Sequence, residues 1–212
     1  MKRVFDIVVA GTGLIVLAPV MLAAALLVKW TSPGPILFRQ ERIGRRFRPF
    51  CIYKFRTMVQ EAPRQGGPIT FGADPRITRI GRLLRSTKLD ELPQLINVLK
   101  GDMSLVGPRP EVHQYVDMFR QDYQEILEVR PGITDLASIA YRDEAAVLGR
   151  AADPEAEYRT RVLPEKIRLA KEYLRRASFW FDLLLIAKTV VRLAGDGLTR
   201  PRRAETADAR NE

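Results

Sequence analysis

The first long pattern in the chain is an apolar run that covers residues 4–28. The polar or helix-breaking positions inside it are Asp6, Gly11, Thr12, Gly13 and Pro19. Since about 20 helical residues cross a bilayer core about 30 Å thick, a straight helix of this length could span a membrane. A proline inside a helix removes a hydrogen bond and kinks the axis, so the Ala18-Pro19 pair predicts a bend at Pro19.

Basic residues flank the apolar run on both sides. Lys2 and Arg3 precede it, and Lys29 and the arginines of residues 39–48 follow it. Lysine and arginine beside a membrane segment mark the cytoplasmic side, so both ends are expected there. This favours a re-entrant helix over residues 1–30 that enters and leaves through one leaflet. A spanning helix and the buried helix of a globular domain are the alternatives.

The middle of the chain combines short extended segments with helical periodicity. Residues 36–38 and 50–55 have the composition of strands, and the basic turn between them contains Gly44, so they predict a hairpin. Apolar positions recur at helical spacing over residues 76–85, 90–99, 112–129 and 163–176. Residues 59–75, rich in glycine and proline, predict a mobile loop. The expected fold is mainly α with a small β-hairpin, of the α+β class.

A second membrane-like segment covers residues 179–194. Its 16 residues would span about 24 Å as a helix, which is less than a bilayer core. The charged positions that interrupt it are Asp182, Lys188 and Arg192. An interfacial amphipathic helix with Trp180 and Phe181 at headgroup level fits this pattern, and a core helix is the alternative. The predicted organisation is a membrane helix over residues 1–30, a globular domain over residues 31–195 and a flexible tail over residues 196–212.

The net charge and the numbers of cysteine and histidine residues limit the kinds of ligand and catalytic chemistry expected of the chain. The 212 residues carry a formal charge of +10, which favours anionic partners such as nucleic acid, anionic lipid or phosphorylated ligands. The sequence has one cysteine, Cys51, and one histidine, His113. An internal disulfide and a cysteine-based zinc cluster are therefore excluded, and a histidine-based triad is disfavoured. Nucleophilic, acid–base and metal chemistry must use Asp, Glu, Lys or Tyr.

Two adjacent carboxylates, Asp90 and Glu91, precede an apolar helical stripe. Because proline is comfortable only in the first turn of a helix, Pro93 predicts that the helix begins near Asp90. A carboxylate is favoured at the positive end of a helix, and so is a phosphate beside it. Gln94 and Asn97 follow Asp90 at i+4 and i+7 and share its face. The alternative is that Asp90 is an N-cap and Glu91 a first-turn acid of an ordinary helix.

Arg109 is a candidate for binding phosphate. Pro108 and Pro110 flank it, restrict the backbone and so limit the directions that the guanidinium can take. An arginine held in this way can bind phosphate with two parallel hydrogen bonds. A structural turn with an exposed arginine is the alternative.

Three other basic residues are candidates for the same role. Lys54 and Arg56 are two positions apart on the second predicted strand and would point to one face of it. Arg85 lies five residues before Asp90, in a row of arginines. A solvated strand edge is the alternative for the first two, and a solvated or lipid-headgroup face is the alternative for the arginine row.

Taken together, these segments resemble the bacterial sugar transferases, also called monotopic phosphoglycosyl transferases. The matching strings are Lys2-Arg3-Val4-Phe5-Asp6, Pro19 within the apolar run, Tyr53-Lys54-Phe55-Arg56-Thr57-Met58, Leu89-Asp90-Glu91-Leu92-Pro93-Gln94-Leu95, Asn97-Val98-Leu99-Lys100-Gly101-Asp102-Met103-Ser104, Val106-Gly107-Pro108-Arg109-Pro110 and Arg130-Pro131-Gly132-Ile133-Thr134. The resemblance covers residues 2–192 in the right order and spacing. Each string is weak by itself, whereas the series is highly specific.

The resemblance implies transfer of a phosphosugar from a nucleotide sugar, expected to be a UDP-sugar, to polyprenol phosphate, with release of nucleoside monophosphate. It implies that Asp90 is the nucleophile and carries a covalent phosphosugar intermediate. Glu91 would help to bind Mg²⁺ or position the acceptor, so Asp90 and Glu91 are the expected Mg²⁺ ligands. The expected phosphate-binding residues are Lys54, Arg56, Arg85 and Arg109, and the expected supporting residues are Gln94, Asn97, Asp102, Pro108 and Pro110.

The resemblance also implies a location. A re-entrant helix kinked at a Ser-Pro pair would hold the catalytic domain on the cytoplasmic face of the bacterial inner membrane, in contact with membrane lipids. The reaction would be the first membrane step of polysaccharide or glycoconjugate synthesis. Longer members carry further N-terminal membrane helices and another domain, so this chain is expected to be the minimal catalytic unit.

Two positions depart from the family pattern. Ala18 replaces the serine of the Ser-Pro pair, and Asp135-Leu136 follow Thr134 where many members have Gly-Trp. The second departure lies in a region expected to contact the nucleotide sugar. Neither the sugar nor the oligomeric state follows from the sequence, and a homo-oligomer is an open alternative.

A basic membrane-associated scaffold or lipid-binding protein is the non-enzymatic alternative. It accounts for the charge and both apolar segments but leaves the Asp90-Glu91 pair and Arg109 unexplained. Nucleic acid is not an expected partner, because the basic residues lie beside membrane-like segments and no known binding motif occurs.

Overall fold

The computed structural model describes residues 1–67 and 69–199, and helices predominate in this part of the chain. The helices are α1 (Lys2–Val16), α2 (Ala18–Thr31), α3 (Ala62–Gln65), α4 (Arg79–Thr87), α5 (Gln94–Lys100), α6 (His113–Met118), α7 (Arg120–Ile126), α8 (Leu136–Ala140), α9 (Glu144–Leu148), α10 (Pro154–Glu157), α11 (Leu163–Arg176) and α12 (Phe179–Thr199). The strands are β1 (Leu37–Ile43), β2 (Pro49–Phe55), β3 (Ser104–Val106) and β4 (Gly132–Thr134). β1 and β2 form the predicted antiparallel hairpin, and β3 and β4 form a short parallel pair. The mainly helical α+β class is confirmed.

The apolar N-terminal segment forms two helices at a sharp angle. α1 ends at Val16, α2 begins at Ala18, and the bend between them is 62°. Pro19 lies in the first turn of α2, where its missing N–H costs no hydrogen bond. Within the described residues no single helix has the length and apolar composition to cross a membrane, although the bent pair meets these two criteria together.

Polar contacts fix the start of α1 to the rest of the fold. Asp6 is buried, and its carboxylate accepts hydrogen bonds from Ser104 Oγ at 2.8 Å and from the Leu105 amide at 3.1 Å. Lys2 Nζ lies 2.5 Å from Asp182 Oδ2 in α12. The basic residue and the aspartate at the start of α1 therefore anchor this helix to β3 and to the last described helix.

The two sides of the N-terminal helices differ. Ala10, Ala24 and Val28 are buried against the rest of the protein. The exposed large apolar side chains of the pair are Val4, Ile7, Val8, Val9, Ile15, Val16, Val20, Leu22, Leu26, Leu27 and Trp30. Exposed apolar side chains in this number are typical of a surface that contacts a membrane or another protein.

Helix α5 closes the free edge of the hairpin. β2 pairs with β1 on one edge, and on the other Asn97 Nδ2 donates to the Cys51 carbonyl at 2.7 Å while Asn97 Oδ1 accepts from the Tyr53 amide at 3.1 Å. Asp102 Oδ2 accepts a further bond from Asn97 Nδ2 at 3.3 Å. A side-chain amide has both a donor and an acceptor and can satisfy an exposed strand edge. Lys54, the next residue of β2, is thereby fixed relative to α5.

The parallel pair β3–β4 does not follow from the sequence pattern, since each strand has three residues. The backbones beside these strands approach closely, because a Cβ on Gly132 would lie 2.1 Å from Gly107 N. Only glycine permits such an approach. The Gly107 amide donates to the Thr134 carbonyl at 3.1 Å, and the Gly132 amide donates to the Pro108 carbonyl at 3.0 Å. This crossing ties the Gly-Pro-Arg-Pro segment to β4.

Two other helix predictions are wrong for local reasons. The single helix expected over residues 112–129 is divided into α6 and α7 at Phe119. α4 begins later than expected, because Thr78 caps it by accepting a hydrogen bond from the Gly81 amide at 2.9 Å. Asp74, which precedes the predicted helix, binds the side chain and the amide of Arg76 and does not cap α4.

Helix α12 is partly buried in the fold, so the predicted headgroup position is wrong for Phe181, which packs in the core, and stays a prediction for Trp180. Phe181, Asp182 and Leu185 are buried in the fold, whereas Trp180 and Val191 are exposed. The helix continues through Thr199, past the predicted end at residue 194. The part of the predicted tail over residues 200–212 lies outside the described residues.

We expect Asn97→Ala to lower the free energy of unfolding by about 1–3 kcal/mol, the cost of leaving partly buried backbone groups without partners. The lost partners belong to Cys51 and Tyr53. Urea unfolding in mild detergent measures the change. Gln124→Ala, which removes an exposed amide from α7, is the matched control and should change stability by less than about 0.5 kcal/mol. Equal stability of Asn97→Ala and the native chain would show that α5 does not hold the edge of β2.

Candidate active site

The adjacent carboxylates Asp90 and Glu91 lie in a 3-10 turn between α4 and α5. Lys88 ends α4 in the left-handed conformation, with φ of 59°, and changes the chain direction before the pair. Regular α-helix begins at Gln94 with Pro93 at its N-cap, so the predicted helix start near Asp90 is wrong. α5 has only seven residues. The charge state of Asp90 and Glu91 is therefore set by the side chains around them rather than by a long helix.

Glu91 is bound by two cations. Lys54 Nζ lies 2.7 Å from Glu91 Oε1, and Arg109 Nη2 lies 2.5 Å from the same oxygen. Arg109 Nη1 lies 3.4 Å from Glu91 Oε2. Burial by itself would raise the pKa of Glu91, but the charges of Arg109 and Lys54 outweigh it and hold this pKa well below its usual value. Glu91 is therefore an ionised carboxylate whose charge is already compensated.

Asp90 has no comparable partner. It is 7% exposed, and its Oδ1 accepts no hydrogen bond from any residue that the structure describes. Burial and then the charge of Glu91 raise the pKa of Asp90, while Lys54, Lys88 and Arg85 act in the opposite direction. A buried carboxylate oxygen without a partner is unfavourable. The uncommitted oxygen thus marks Asp90 as the group that a bound ligand would engage.

Arg85 completes the basic surroundings of the pair. It lies in the last turn of α4, and its Nε donates to Thr57 Oγ1 at 2.8 Å. Burial lowers the pKa of Arg85, and the negative charges of Asp90 and Glu91 oppose this effect. The structure therefore brings three of the four predicted cations to the carboxylates: Lys54, Arg85 and Arg109.

Arg56, the fourth predicted cation, has other partners. Its Nη1 donates to the Pro33 carbonyl at 2.6 Å, and its Nη2 donates to the Ser32 carbonyl at 2.8 Å and to Ser32 Oγ at 2.7 Å. β2 ends at Phe55, so the alternation that would place Arg56 beside Lys54 stops before it. Arg56 holds the connection after α2 and does not share the environment of the pair.

Both prolines beside Arg109 contribute carbonyl acceptors to neighbouring elements. The Pro108 carbonyl accepts from the Gly132 amide, and the Pro110 carbonyl accepts from Arg42 Nη1 at 3.2 Å. These bonds hold the segment on both sides of Arg109. The charge of Glu91 raises the pKa of Arg109 in spite of burial. Arg109 is therefore a permanently charged group on a restrained backbone, as the sequence predicts.

The predicted supporting residues have different positions. Asn97 and Asp102 hold the edge of β2 and so act on Lys54 indirectly. Gln94 is buried one helical turn after Asp90, and its Nε2 has no hydrogen-bond partner among the described residues. Asp90, Gln94 and Asn97, which are predicted to share one helix face, are all buried, but Asp90 lies in the 3-10 turn before α5 and not on the helix itself.

Sequence reasoning misses a buried charged cluster next to the Arg109 segment. Glu111 Oε1 accepts hydrogen bonds from Lys166 Nζ at 3.0 Å and from Tyr158 Oη at 2.9 Å, and Glu111 Oε2 lies 3.3 Å from Arg42 Nη1. Lys166 Nζ also lies 3.1 Å from Glu144 Oε2. Burial would raise the pKa of Glu111, but Lys166 and Arg42 lower it. Local pattern misses the cluster because its residues come from distant parts of the sequence. The one feature that could have pointed to Glu111 is its position directly after Pro110 in the Arg109 segment.

The carboxylate pair suits Mg²⁺ by the type of its donors. Among the described residues no group of three or more Asp, Glu, His or Cys side chains could hold a metal ion. Mg²⁺ commonly keeps several waters and binds through one or two carboxylates together with substrate phosphates. Asp90 and Glu91 can supply such carboxylates, and Asp90 Oδ1 is an oxygen that no described residue uses.

Residues 1–196 match the sequence model of a family described as bacterial sugar transferase. The chain is 42% identical over 194 residues to UDP-N-acetylgalactosamine-undecaprenyl-phosphate N-acetylgalactosaminephosphotransferase of Aeromonas hydrophila, which covers 89% of this chain and 42% of that protein. It is 40% identical over 195 residues to UDP-glucose:undecaprenyl-phosphate glucose-1-phosphate transferase of Escherichia coli (strain K12). That alignment covers 90% of this chain and 39% of the relative.

A third relative is similar over nearly its whole length. The chain is 39% identical over 198 residues to exopolysaccharide production protein PSS of Rhizobium leguminosarum bv. phaseoli, which covers 90% of this chain and 94% of that protein. In contrast, the chain spans about two fifths of the length of the first two relatives. The family match over residues 1–196 includes every segment that forms the candidate site.

Proposed function

Because the chain belongs to the bacterial sugar transferase family, we propose that it transfers a phosphosugar from a UDP-sugar to undecaprenyl phosphate. The names of two relatives specify this donor and acceptor class, with N-acetylgalactosamine in one case and glucose in the other. The products are an undecaprenyl-diphosphate sugar and UMP. Both sugars are candidates for this chain.

The difference between the two carboxylates supports this proposal most directly. Glu91 is bound to Lys54 and Arg109, whereas Asp90 Oδ1 has no partner among the described residues. A carboxylate neutralised by two cations is a weak nucleophile, because its lone pairs are engaged. Asp90 is therefore the nucleophile, and Glu91 is the residue that holds the cations beside it.

In the first half-reaction an Asp90 carboxylate oxygen attacks the sugar-bearing phosphorus of the donor. A bond forms between that oxygen and phosphorus, and the bond from phosphorus to the bridging oxygen breaks. UMP leaves with the electron pair on this oxygen, and the phosphosugar stays on Asp90. Lys54, Arg85 and Arg109 supply positive charge where the phosphate oxygens become more negative.

In the second half-reaction a phosphate oxygen of undecaprenyl phosphate attacks the same phosphorus. The new bond from oxygen to phosphorus replaces the bond to Asp90, whose carboxylate is restored. The acceptor is a phosphate dianion or monoanion, so the same basic surroundings serve both substrates. The cluster of Lys54, Arg109 and Glu91 remains in place throughout.

Of the two expected ligands, Asp90 and Glu91, Asp90 would hold Mg²⁺ together with substrate phosphates, because carboxylate and phosphate oxygens are the donors that Mg²⁺ prefers. When bound, it supplies positive charge to the diphosphate of the donor. Asp90 is the residue whose oxygen is available to it, since the oxygens of Glu91 already accept from Lys54 and Arg109. The rival non-enzymatic scaffold needs no such oxygen and predicts no UMP release.

We infer that α1 and α2 form a re-entrant pair in the cytoplasmic leaflet of the inner membrane. The 62° bend lets α1 enter and α2 leave through one leaflet at shallow angles, and the outer faces of both helices are apolar. Lys2 contacts Asp182, so the start of α1 lies on the same side as the catalytic domain. The residue after α2, Ser32, is fixed by Arg56 to the end of the hairpin. Both ends are thereby held to one domain on one face.

Asp90→Asn should lower UMP release roughly 1,000-fold or more, the order of loss seen when a nucleophile is removed. Native protein incubated with UDP-glucose or UDP-N-acetylgalactosamine without acceptor should gain the mass of one phosphosugar, and the Asp90→Asn variant should not. Asp117→Asn, which alters an exposed aspartate on α6, is the matched control and should retain activity. Turnover near the native rate in Asp90→Asn would contradict the assignment.

Mg²⁺ should raise the melting temperature of the native protein in detergent and leave that of Asp90→Asn nearly unchanged. A ligand that binds only the folded state stabilises it by about 2.7 kcal/mol at a concentration 100 times its Kd. Chelation by EDTA should stop UMP release, and added Mg²⁺ should restore it. An equal Mg²⁺-dependent shift in both proteins would show that Asp90 is not a ligand.

Cysteines at both flanks of the bent pair test its topology. In a Cys51→Ser background, a cysteine inserted after Met1 and the variant Lys29→Cys should react with an impermeant maleimide only after spheroplasts are permeabilised, because both flanks face the cytoplasmic side. Met1 and Lys29 are both exposed in the structure. Reaction of either variant in intact spheroplasts would show that the segment crosses the membrane.

A further inference from the structure

The Pro108-Arg109-Pro110 segment has a single backbone donor. Proline has no N–H, so the amide of Arg109 is the one hydrogen through which this tripeptide can be held. Arg109 N lies 3.2 Å from Asp135 Oδ2. The only main-chain donor of the segment that presents the guanidinium is thus bound by a carboxylate.

Asp135 is itself held firmly. It is 2% exposed, and its Oδ1 accepts hydrogen bonds from the Ser138 amide at 2.7 Å and from Ser138 Oγ at 2.5 Å. These bonds cap α8 and leave Oδ2 for the Arg109 amide. With one oxygen fixed to α8 and the other to Arg109, the carboxylate joins the helix to the active-site segment.

The hydrogen bond between the Arg109 amide and Asp135 extends the row of hydrogen bonds that joins the Arg109 segment to β4. Gly107 donates to the Thr134 carbonyl, and Pro108 accepts from the Gly132 amide. The next available donor after these bonds is the Arg109 amide, and Asp135 directly follows Thr134. The negative charge of Asp135 also favours the charged form of Arg109.

We propose that Asp135 is a positioning residue that aligns Arg109 through its amide, with Ser138 holding the carboxylate in place. This inference rests on the proposed function, in which the guanidinium of Arg109 binds phosphate oxygens of the substrates. It gives a role to the position where the chain departs from the Gly-Trp of many family members. A glycine there has no side chain with which to reach the Arg109 amide.

A double-mutant cycle tests whether Asp135 acts through Arg109. Asp135→Asn should lower kcat/KM for UMP release about tenfold, which corresponds to about 1.4 kcal/mol. In an Arg109→Ala background, the same change should lower it by less than about twofold, because no guanidinium remains to be aligned. Asp153→Asn is the matched control, since Asp153 caps α10 through the Glu155 and Ala156 amides and does not touch Arg109. It should leave kcat/KM unchanged.

A second measurement does not depend on activity. Hydrogen exchange at the Arg109 amide should be at least tenfold faster in Asp135→Asn than in the native protein, because the one oxygen of asparagine is taken by the Ser138 amide and hydroxyl and its NH2 group cannot accept from Arg109. Ser138→Ala keeps the carboxylate and removes one of its hydrogen bonds, so it should show the same changes to a smaller degree. This variant serves as the test if Asp135→Asn does not fold.

The outcomes separate failure of the inference from failure of the proposed function. Equal fold losses from Asp135→Asn in the native and Arg109→Ala backgrounds would overturn the inference and leave the proposed function standing. Unchanged exchange at Arg109 would also overturn the inference. Absence of UMP release by the native protein with any UDP-sugar would overturn the proposed function, while faster exchange in the variants would still support the contact between Asp135 and Arg109.

Discussion

The ion pair between Glu91 and Arg109 is the contact on which the arrangement of the site depends. With Lys54 it joins three separate segments, the 3-10 turn, the Pro-flanked segment and strand β2, at one carboxylate. Two carboxylates in adjacent positions would repel each other, and each would raise the pKa of the other. Because Glu91 is neutralised by two cations, the charge of Asp90 can exist beside it at a smaller electrostatic cost. Two chemically similar neighbours thus have different surroundings: Glu91 is bound by two cations, whereas Asp90 Oδ1 has no partner among the described residues, as the proposed nucleophile requires.

The parts of the site that sequence predicts are those that local chain geometry determines. The adjacent carboxylates Asp90 and Glu91 and the proline-flanked Arg109 stand out as candidates from local sequence, and the family resemblance then implies their roles. Arg56 shows where this reasoning stops. Strand alternation pairs it with Lys54 only while the strand continues, and β2 ends at Phe55. The position at which a strand ends depends on contacts with α2 and the following loop, which no local pattern contains.

Other features depend on residues that are far apart in the chain. Lys166 meets Glu111 from 55 positions away, and Asn97 meets Cys51 from 46. The sequence immediately around each of these residues is ordinary, so local pattern indicates only that Asn97 shares a polar face with Asp90 and Gln94. The α+β class and the hairpin follow from periodicity and turn residues, whereas β3 and β4 are too short to produce a pattern. Their pairing depends instead on Gly107 and Gly132, which let two backbones cross.

The contact between Lys2 and Asp182 has a consequence for the synthesis of the chain. α1 is synthesised before its partner on α12, because Asp182 lies 180 positions after Lys2. Ser104 and Leu105, which bind Asp6, also follow long after α1. During translation the apolar faces of α1 and α2 are therefore complete before the residues that anchor them exist. In the proposed re-entrant arrangement, α1 and α2 can therefore enter the bilayer before the domain folds, and the domain then folds at the membrane surface.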